Sequence, residues 1–412
     1  MALLKSWVES ANSAETDFPL NNLPCGVFSL GEAEPRCGMA IGDYILDLTA
    51  LEAEGLLRLG DAPLLQVPFW NEVMEAGPEV WADLRAQVTA MLAEGASKRW
   101  IVEDHLVAMS EARLHLPFLV AEFTDFFSGR NHARNVAAIA GQSALPAAWE
   151  HMPIGCNGRA SSVVVSGTAL LRPWGQIKGK GFDAPIFAPS RRFDFELELG
   201  AVVGVGSDGP VTVAEAEAMI FGYVLLNDWS ARDFQAWESL PLGPFQAKAT
   251  ATTISPWIVM RAALDAFRVA TPPRPAALLA YITETSPMLP NIALQVSLQP
   301  EAGAETVICR TSSAELGYSA PQQLAHHTSS GCPMSVGDLL GSGTISGPDK
   351  GSFGSLLELS WGGKEPVTIA GGARRFVEDG DSITLRGAVI GKGFRIGFGA
   401  CEGKLLPALP DP

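Results

Sequence analysis

Arg192-Phe193-Asp194-Phe195-Glu196-Leu197-Glu198-Leu199 alternates apolar and acidic residues without a break. On a strand, successive side chains point to opposite faces, so Phe193, Phe195, Leu197 and Leu199 share one face and Asp194, Glu196 and Glu198 the other. Like charges in a row on one strand face repel unless the face is solvated or a cation lies among them. Working outward, Val163 to Val165, Phe193 to Val205, Phe221 to Leu226, Ile292 to Leu298, Ser355 to Trp361, Ser382 to Leu385 and Phe394 to Phe398 also read as short strands between Gly/Pro turns. Long helices are few. The pattern predicts a mainly β (α+β) fold with a β-rich C-terminal part, rather than a doubly wound sheet.

Toward the N-terminus, Cys25 to Leu48 reads as short strands broken by Gly26, Gly31, Pro35, Gly38 and Gly42. From Pro63 to about Arg113, Ala, Leu and Glu recur at helical spacing, and Leu114 to Leu119 reads as an extended junction. Two domains are expected, residues 1–117 and 118–412. With 47% hydrophobic and 18% charged residues, the 412-residue chain can build a large ordered core. A formal charge of −16 argues against nucleic acid or an anionic membrane as main partner. The first residues lack the apolar stretch of a signal peptide, and no run approaches the roughly 18–20 apolar residues of a spanning helix. Cys25, Cys37, Cys156, Cys309, Cys332 and Cys401 are scattered without a CxxC pair, which reads as reduced thiols in a cytoplasmic protein.

Chemistry is suggested by carboxylates set in or beside apolar runs: Asp125, Glu196 with Glu198, Asp228 and Glu358. Burying such charges unpaired is costly, and a hard cation with oxygen ligands, such as Mg²⁺ or Ca²⁺, would compensate several together. Asp228 ends the strand-like run Ile220 to Asn227. Arg232 and Gln235 then fall three apart on one face of a following helix, where surface or capping roles are the plainer alternative. His132 lies seven residues after Asp125, whereas His105, His115, His151, His326 and His327 read as packed or surface residues. Gly204 to Gly209 matches GxGxxG, but Pro210 to Thr212 follow, so the helix begins later, capped by Thr212, and a turn is expected. Gly341 to Gly347 lacks the GK[ST] of a phosphate loop.

Longer blocks carry a resemblance. Asp17-Phe18-Pro19-Leu20-Asn21-Asn22-Leu23-Pro24, Gly158 to Thr168, Asn227-Asp228-Trp229-Ser230-Ala231-Arg232-Asp233, Pro241 to Phe245, Thr252 to Trp257 and Gly343 to Gly347 stand in order along the chain. With them the whole sequence resembles the fumarylacetoacetase family, whose activity is the last step of tyrosine breakdown. The resemblance implies an SH3-like N-terminal β-barrel, a β-rich catalytic domain and a homodimer. It implies Asp125, Glu196, Glu198 and Asp228 as metal ligands, with Lys248 and Thr252 nearby. His132 matches the general base and Glu358 the carboxylate that orients it. Arg232, Gln235 and Lys248 match the groups around the oxyanion, and Thr344 a substrate contact.

The pocket departs from that pattern. Phe127, Cys156 and Ser239 stand where the family has tyrosines, and an arginine expected after His132 is missing, with Arg134 at a different position. Three readings follow. One is metal-dependent hydrolysis of fumarylacetoacetate by water activated on His132. Another is related chemistry on a less charged β-diketone or β-keto acid. The third is a silent scaffold, against which the intact acidic set, His132 and Glu358 weigh.

Overall fold

The computed structural model describes residues 1–179, 181 and 183–410. The alternating stretch is extended in two pieces, Phe193–Asp194 and Leu197–Val203, and Glu196 between them bridges to Ser355. Phe193, Phe195, Leu197 and Leu199 enter the main apolar core. Asp194, Glu196 and Glu198 are buried as well, so the acidic face is covered by protein rather than by water.

Asp194 illustrates what that burial demands. Its carboxylate accepts hydrogen bonds from the backbone N–H groups of Leu356 (2.8 Å) and Leu357 (3.0 Å) and from Arg232 Nε (2.8 Å). Asp194→Ala would take the acceptor from two amides and from Arg232 Nε, although Arg232 keeps Glu196 through Nη1. A loss of about 3–5 kcal/mol is expected in urea unfolding; an unchanged midpoint would show that Arg232 does not depend on this pair.

Leu197–Val203 lies at the centre of an eight-stranded sheet. Its order is Gly155–Asn157, Phe123–Phe126, Leu339–Gly341, Leu197–Val203, Ile220–Asp228, Thr252–Ile254 and Val163–Val165, with Val259–Met260 added to Ile220–Asp228. A second sheet has the order Thr306–Ser312, Ala293–Gln299, Ser382–Ile390, Arg395–Leu406 and Leu170–Leu171. In the N-terminal part, Leu106–Ala108, Tyr44–Asp47, Arg36–Ile41, Cys25–Leu30 and Ala112–His115 form an antiparallel five-stranded sheet. The mainly β expectation holds.

The large sheet is apolar on both faces, but for different partners. Leu199, Ala201, Tyr223 and Leu225 enter the core of the C-terminal part. Val202, Val224, Leu226, Ile254, Phe123 and Leu339 pack into a second core with Val27, Met39, Trp70, Trp81 and Leu84 of the N-terminal part. Cys25 and Ile258 exchange backbone hydrogen bonds of 2.9 and 2.8 Å across this junction.

Several local expectations change. Ser355 to Trp361 is a helical turn, Leu356–Leu359, rather than a strand. Ser355 Oγ accepts the Glu358 N–H at its start, a capping arrangement that the leucines conceal in the sequence. The Pro63 to Arg113 region holds helices Asn71–Glu75, Pro78–Leu92 and Arg99–Val102, but then returns to the sheet as Leu106–Ala108 and Ala112–His115. Ala112 and Arg113, read with the helical region, thus open a strand, where β-pairing with Leu30 and Ser29 overrides the local pattern, and His115 of the extended junction closes it opposite Val27. The helix after Gly204 to Gly209 is Val213–Met219 with a Thr212 capping box, as expected. Among the described residues no helix is long and apolar enough to cross a membrane, and all six cysteines are free thiols.

Candidate metal centre and active site

Strand register gathers the acidic residues. Asp125 pairs with Gly341, and Gly341 pairs on its other side with Gly200, two residues beyond Glu198. Asp228 closes the next strand opposite Thr252. Asp125, Glu198 and Asp228 each offer an oxygen, and these oxygens lie within 4.8 Å of one another. They share a sheet face with Val202, Val224 and Leu226 by strand alternation. That face is thus acidic at one end and covered by the N-terminal part at the other.

Two glycines shape the cluster. A Cβ on Gly341 would stand 3.0 Å from Glu198 Oε2 and 3.2 Å from Asp125 Oδ1, crowding the space the carboxylates enclose. Gly343 has φ +77° and donates its N–H to Glu198 Oε2 at 2.9 Å, a backbone conformation that suits glycine. Gly341 to Gly347, set apart in the sequence for lacking a phosphate-loop lysine, thus lines the acidic cluster.

The residues present fit a hard divalent cation. Asp125 Oδ1 and Glu198 Oε1 are buried without a hydrogen-bond partner among the described residues. Burial, reinforced by neighbouring carboxylates, pushes Asp125 and Glu198 well above the ordinary carboxylate range. Burial raises Asp228 too, against the pull of Lys248. Glu196 goes the other way: burial is outweighed by Arg232 and Lys248, and its carboxyl is held far below the usual range. It stands beside the cluster, accepting from Lys248 Nζ (2.8 Å), Ser230 Oγ (3.0 Å), Arg232 and Thr344. Lys248 also pairs with Asp228, and Thr252 Oγ1 lies 3.5 Å from Asp228 Oδ1. Five carboxylates, the half-buried Asp125 and the buried Asp194, Glu196, Glu198 and Asp228, therefore face two cations, Arg232 and Lys248.

These shifts set a pH dependence. A carboxyl whose folded pKa lies above its unfolded value contributes stability at low pH that is lost as pH rises through the folded value. Without metal, Asp125, Glu198 and Asp228 should therefore destabilise the fold as they ionise. A divalent ion must displace their protons, so its binding strengthens with pH. The rise in Tm on adding Mg²⁺ or Ca²⁺ is expected to be larger at about pH 8 than at about pH 6. Thermal melts with and without metal would check this, and an equal rise at both would contradict it.

A second constellation adjoins the first. Helix Arg130–Ile139 buries His132, and its Nδ1 lies 2.7 Å from Glu358 Oε2. The carboxylate only accepts, so Nδ1 carries the proton and Nε2 is left to accept one. Glu358 is also held by Asn135 Nδ2 (2.9 Å), Ser346 Oγ (3.0 Å) and Ser355 Oγ (2.7 Å). Burial would raise its pKa, but His132 and these donors prevail and lower it. Asn135 went unread in the sequence, although a position three after His132 falls on the same helix face. Ser346 and Ser355 left no comparable signal.

The remaining predicted residues divide. Helix Arg232–Glu238 carries Arg232 and Gln235, with Arg232 Nη1 donating to Gln235 Oε1 at 3.1 Å. Arg232 Nη2 is buried and unpartnered among the described residues. Phe127 packs its ring edge-on against His132, with centroids 5.5 Å apart. Ser239 donates its hydroxyl to the Gln235 carbonyl. Cys156 pairs across the sheet with Asp125 and lines a cavity of about 360 Å³ that also touches Asp228, Lys248, Arg159 and Phe245. Burial and the nearby carboxylates push its thiol up to about 12. Thr344 is buried and donates to Glu196. Of the histidines read as packed or surface residues, His327 meets Thr124 Oγ1 at 3.0 Å, His326 meets Tyr281 OH at 2.9 Å and His115 meets Ser29 Oγ at 2.8 Å, while His151 is exposed.

Comparison with known proteins agrees with this geometry. Residues 21–117 match the family model for the fumarylacetoacetase N-terminal region, and 123–405 that for the fumarylacetoacetate (FAA) hydrolase C-terminal region. The fumarylacetoacetase of Arabidopsis thaliana is 41% identical, with 100% of both chains covered. That of Caenorhabditis elegans is 42% identical over 98% of this chain and 100% of its own. The Homo sapiens enzyme is 41% identical over 96% and 97%. Among solved structures, a fumarylacetoacetate hydrolase from Exiguobacterium antarcticum shares the fold at a TM-score of 0.55 and 16% identity, covering 93% of this chain and 99% of that one. With full-length identity at this level and both regions matched, the chain belongs to the fumarylacetoacetase family.

Proposed function

We propose that this protein hydrolyses a carbon–carbon bond of the 1,3-diketone fumarylacetoacetate, giving fumarate and acetoacetate. The observation that carries the reading is the buried His132–Glu358 pair beside the Asp125–Glu198–Asp228 cluster, in a chain 41% identical end to end to a fumarylacetoacetase. His132 Nε2 takes a proton from water while Glu358 holds the ring and offsets the imidazolium charge. The hydroxide attacks a ketone carbon. Arg232, through its unpartnered Nη2, together with the Gln235 amide and Lys248, donates to the oxyanion that forms. Collapse breaks the carbon–carbon bond, the leaving carbon departs as an enolate, and His132 returns its proton. Mg²⁺ or Ca²⁺, held by Asp125, Glu196, Glu198 and Asp228 with Thr252 nearby, would supply Lewis-acid polarisation of the dicarbonyl and charge for the enolate.

The same reading extends to organisation. The antiparallel N-terminal sheet supports an SH3-like barrel over 1–117, followed by a catalytic domain over 118–412. The full-length family match supports a homodimer, and six free thiols a cytoplasmic location. A second reading rests on Phe127, Cys156 and Ser239: none gives the hydroxyl a tyrosine would, so a less charged β-dicarbonyl is the alternative substrate. Loss of the ultraviolet absorbance of fumarylacetoacetate with metal-loaded protein tests the first. No loss, with cleavage of an uncharged diketone, would favour the second.

A further inference from the structure

We infer that Arg159 is a specificity residue that binds a carboxylate of the substrate at the wall of the cavity beside Asp125, Asp228 and Lys248. The inference rests on the proposed action on a dicarboxylate diketone. Arg159 and Lys248 are the cations lining this cavity. Lys248 is held by Glu196 and Asp228. The exposed Arg159 side chain makes one hydrogen bond, from Nη2 to Ser161 Oγ at 3.2 Å, and no ion pair among the described residues. Its position is fixed by the strand before it. Asn157 pairs with Thr124, and Gly158 donates its N–H to the Phe123 carbonyl at 2.8 Å. A Cβ on Gly158 would stand 2.1 Å from the Phe123 ring, so this close approach needs glycine. The chain then turns at Ala160–Ser162, which leaves Arg159 beside Cys156 and Asn157 on the cavity wall.

Charge explains why such a residue is needed. Five carboxylates, four of them buried and Asp125 half-buried, face Arg232 and Lys248, so even a divalent ion leaves no positive surplus for a dianion. Phe127 has no donor on its side chain, Ser239 gives its hydroxyl to Gln235, and the Cys156 thiol is a weak donor. A guanidinium matches a carboxylate through two parallel hydrogen bonds, and Arg159 is positioned to make them. Asn157 lines the same wall.

The test is calorimetric binding to metal-loaded His132→Asn protein, whose turnover should be slowed by about 100- to 10,000-fold, with and without Arg159→Gln. Fumarylacetoacetate dianion is expected to bind about 10- to 100-fold more weakly after Arg159→Gln, with Arg159→Lys intermediate, while acetylacetone, an uncharged 1,3-diketone, binds equally to all. Equal dianion affinity with and without Arg159 would overturn the inference even if the parent enzyme hydrolyses fumarylacetoacetate. No dianion binding at all would overturn it too. Arg159-dependent binding without hydrolysis by the parent enzyme would instead remove the proposed reaction and leave the carboxylate site standing.

Discussion

Replacing His132 with Asn is expected to lower kcat for fumarylacetoacetate by about 100- to 10,000-fold, the range a positioned general base supplies. The substitution is gentle on the fold, because the Asn amide keeps a donor near Glu358. Glu358 also retains Asn135, Ser346 and Ser355, so its buried charge is not abandoned. What disappears is Nε2, the nitrogen left free when Nδ1 donates to Glu358. Rates from ultraviolet decay, set beside thermal melts, separate lost chemistry from lost structure. A kcat within about tenfold of the parent, in folded protein, would remove His132 from the role of base.

Asp228→Asn should weaken divalent-ion binding by at least about 100-fold, since even outer partners of metal ligands are worth 10- to 100-fold. The metal-free protein should respond differently. Burial, reinforced by Glu196, raises the Asp228 pKa against the pull of Lys248, so a neutral amide of the same shape relieves the cost of the buried charge while still accepting from Lys248. Metal-free Tm is therefore expected to hold or rise, while the increase on adding Mg²⁺ or Ca²⁺ vanishes along with activity. Calorimetric titration beside melting curves measures both. Undiminished ion affinity would place the metal away from this carboxylate.

Local sequence revealed the alternation at Phe193 to Leu199 and the turn to helix after Asp228, because each depends on neighbours in the chain. The carboxylates of Asp125, Glu198 and Asp228 could be suspected individually, since charge beside apolar runs is costly. Their meeting depends on strand register between segments as far apart in the chain as Asp125 and Gly341, which no local pattern encodes. The same holds for Gly341, whose value is the side chain it lacks beside Asp125 and Glu198. Ser355 to Trp361 misled because its leucines suit a strand as well as a turn, and the cap from Ser355 decided the outcome. Ala112 and Arg113 misled in the opposite direction, read with the helical region although their strand is fixed by pairing with Leu30 and Ser29 far upstream.

The sheet face that is acidic at one end and roofed by Val27, Met39 and Trp70 at the other has an electrical consequence. The N-terminal part acts as insulation. Opening that roof would let water reach the strands behind Glu198 and Asp228 and raise the local dielectric, and charge interactions weaken in proportion. The acidic residues would then drift back toward ordinary titration, and Lys248 and Arg232 would pull less strongly on a reacting oxygen. A lesion in the N-terminal part would thus be felt at the metal as a weaker field before it is felt as an unfolded protein.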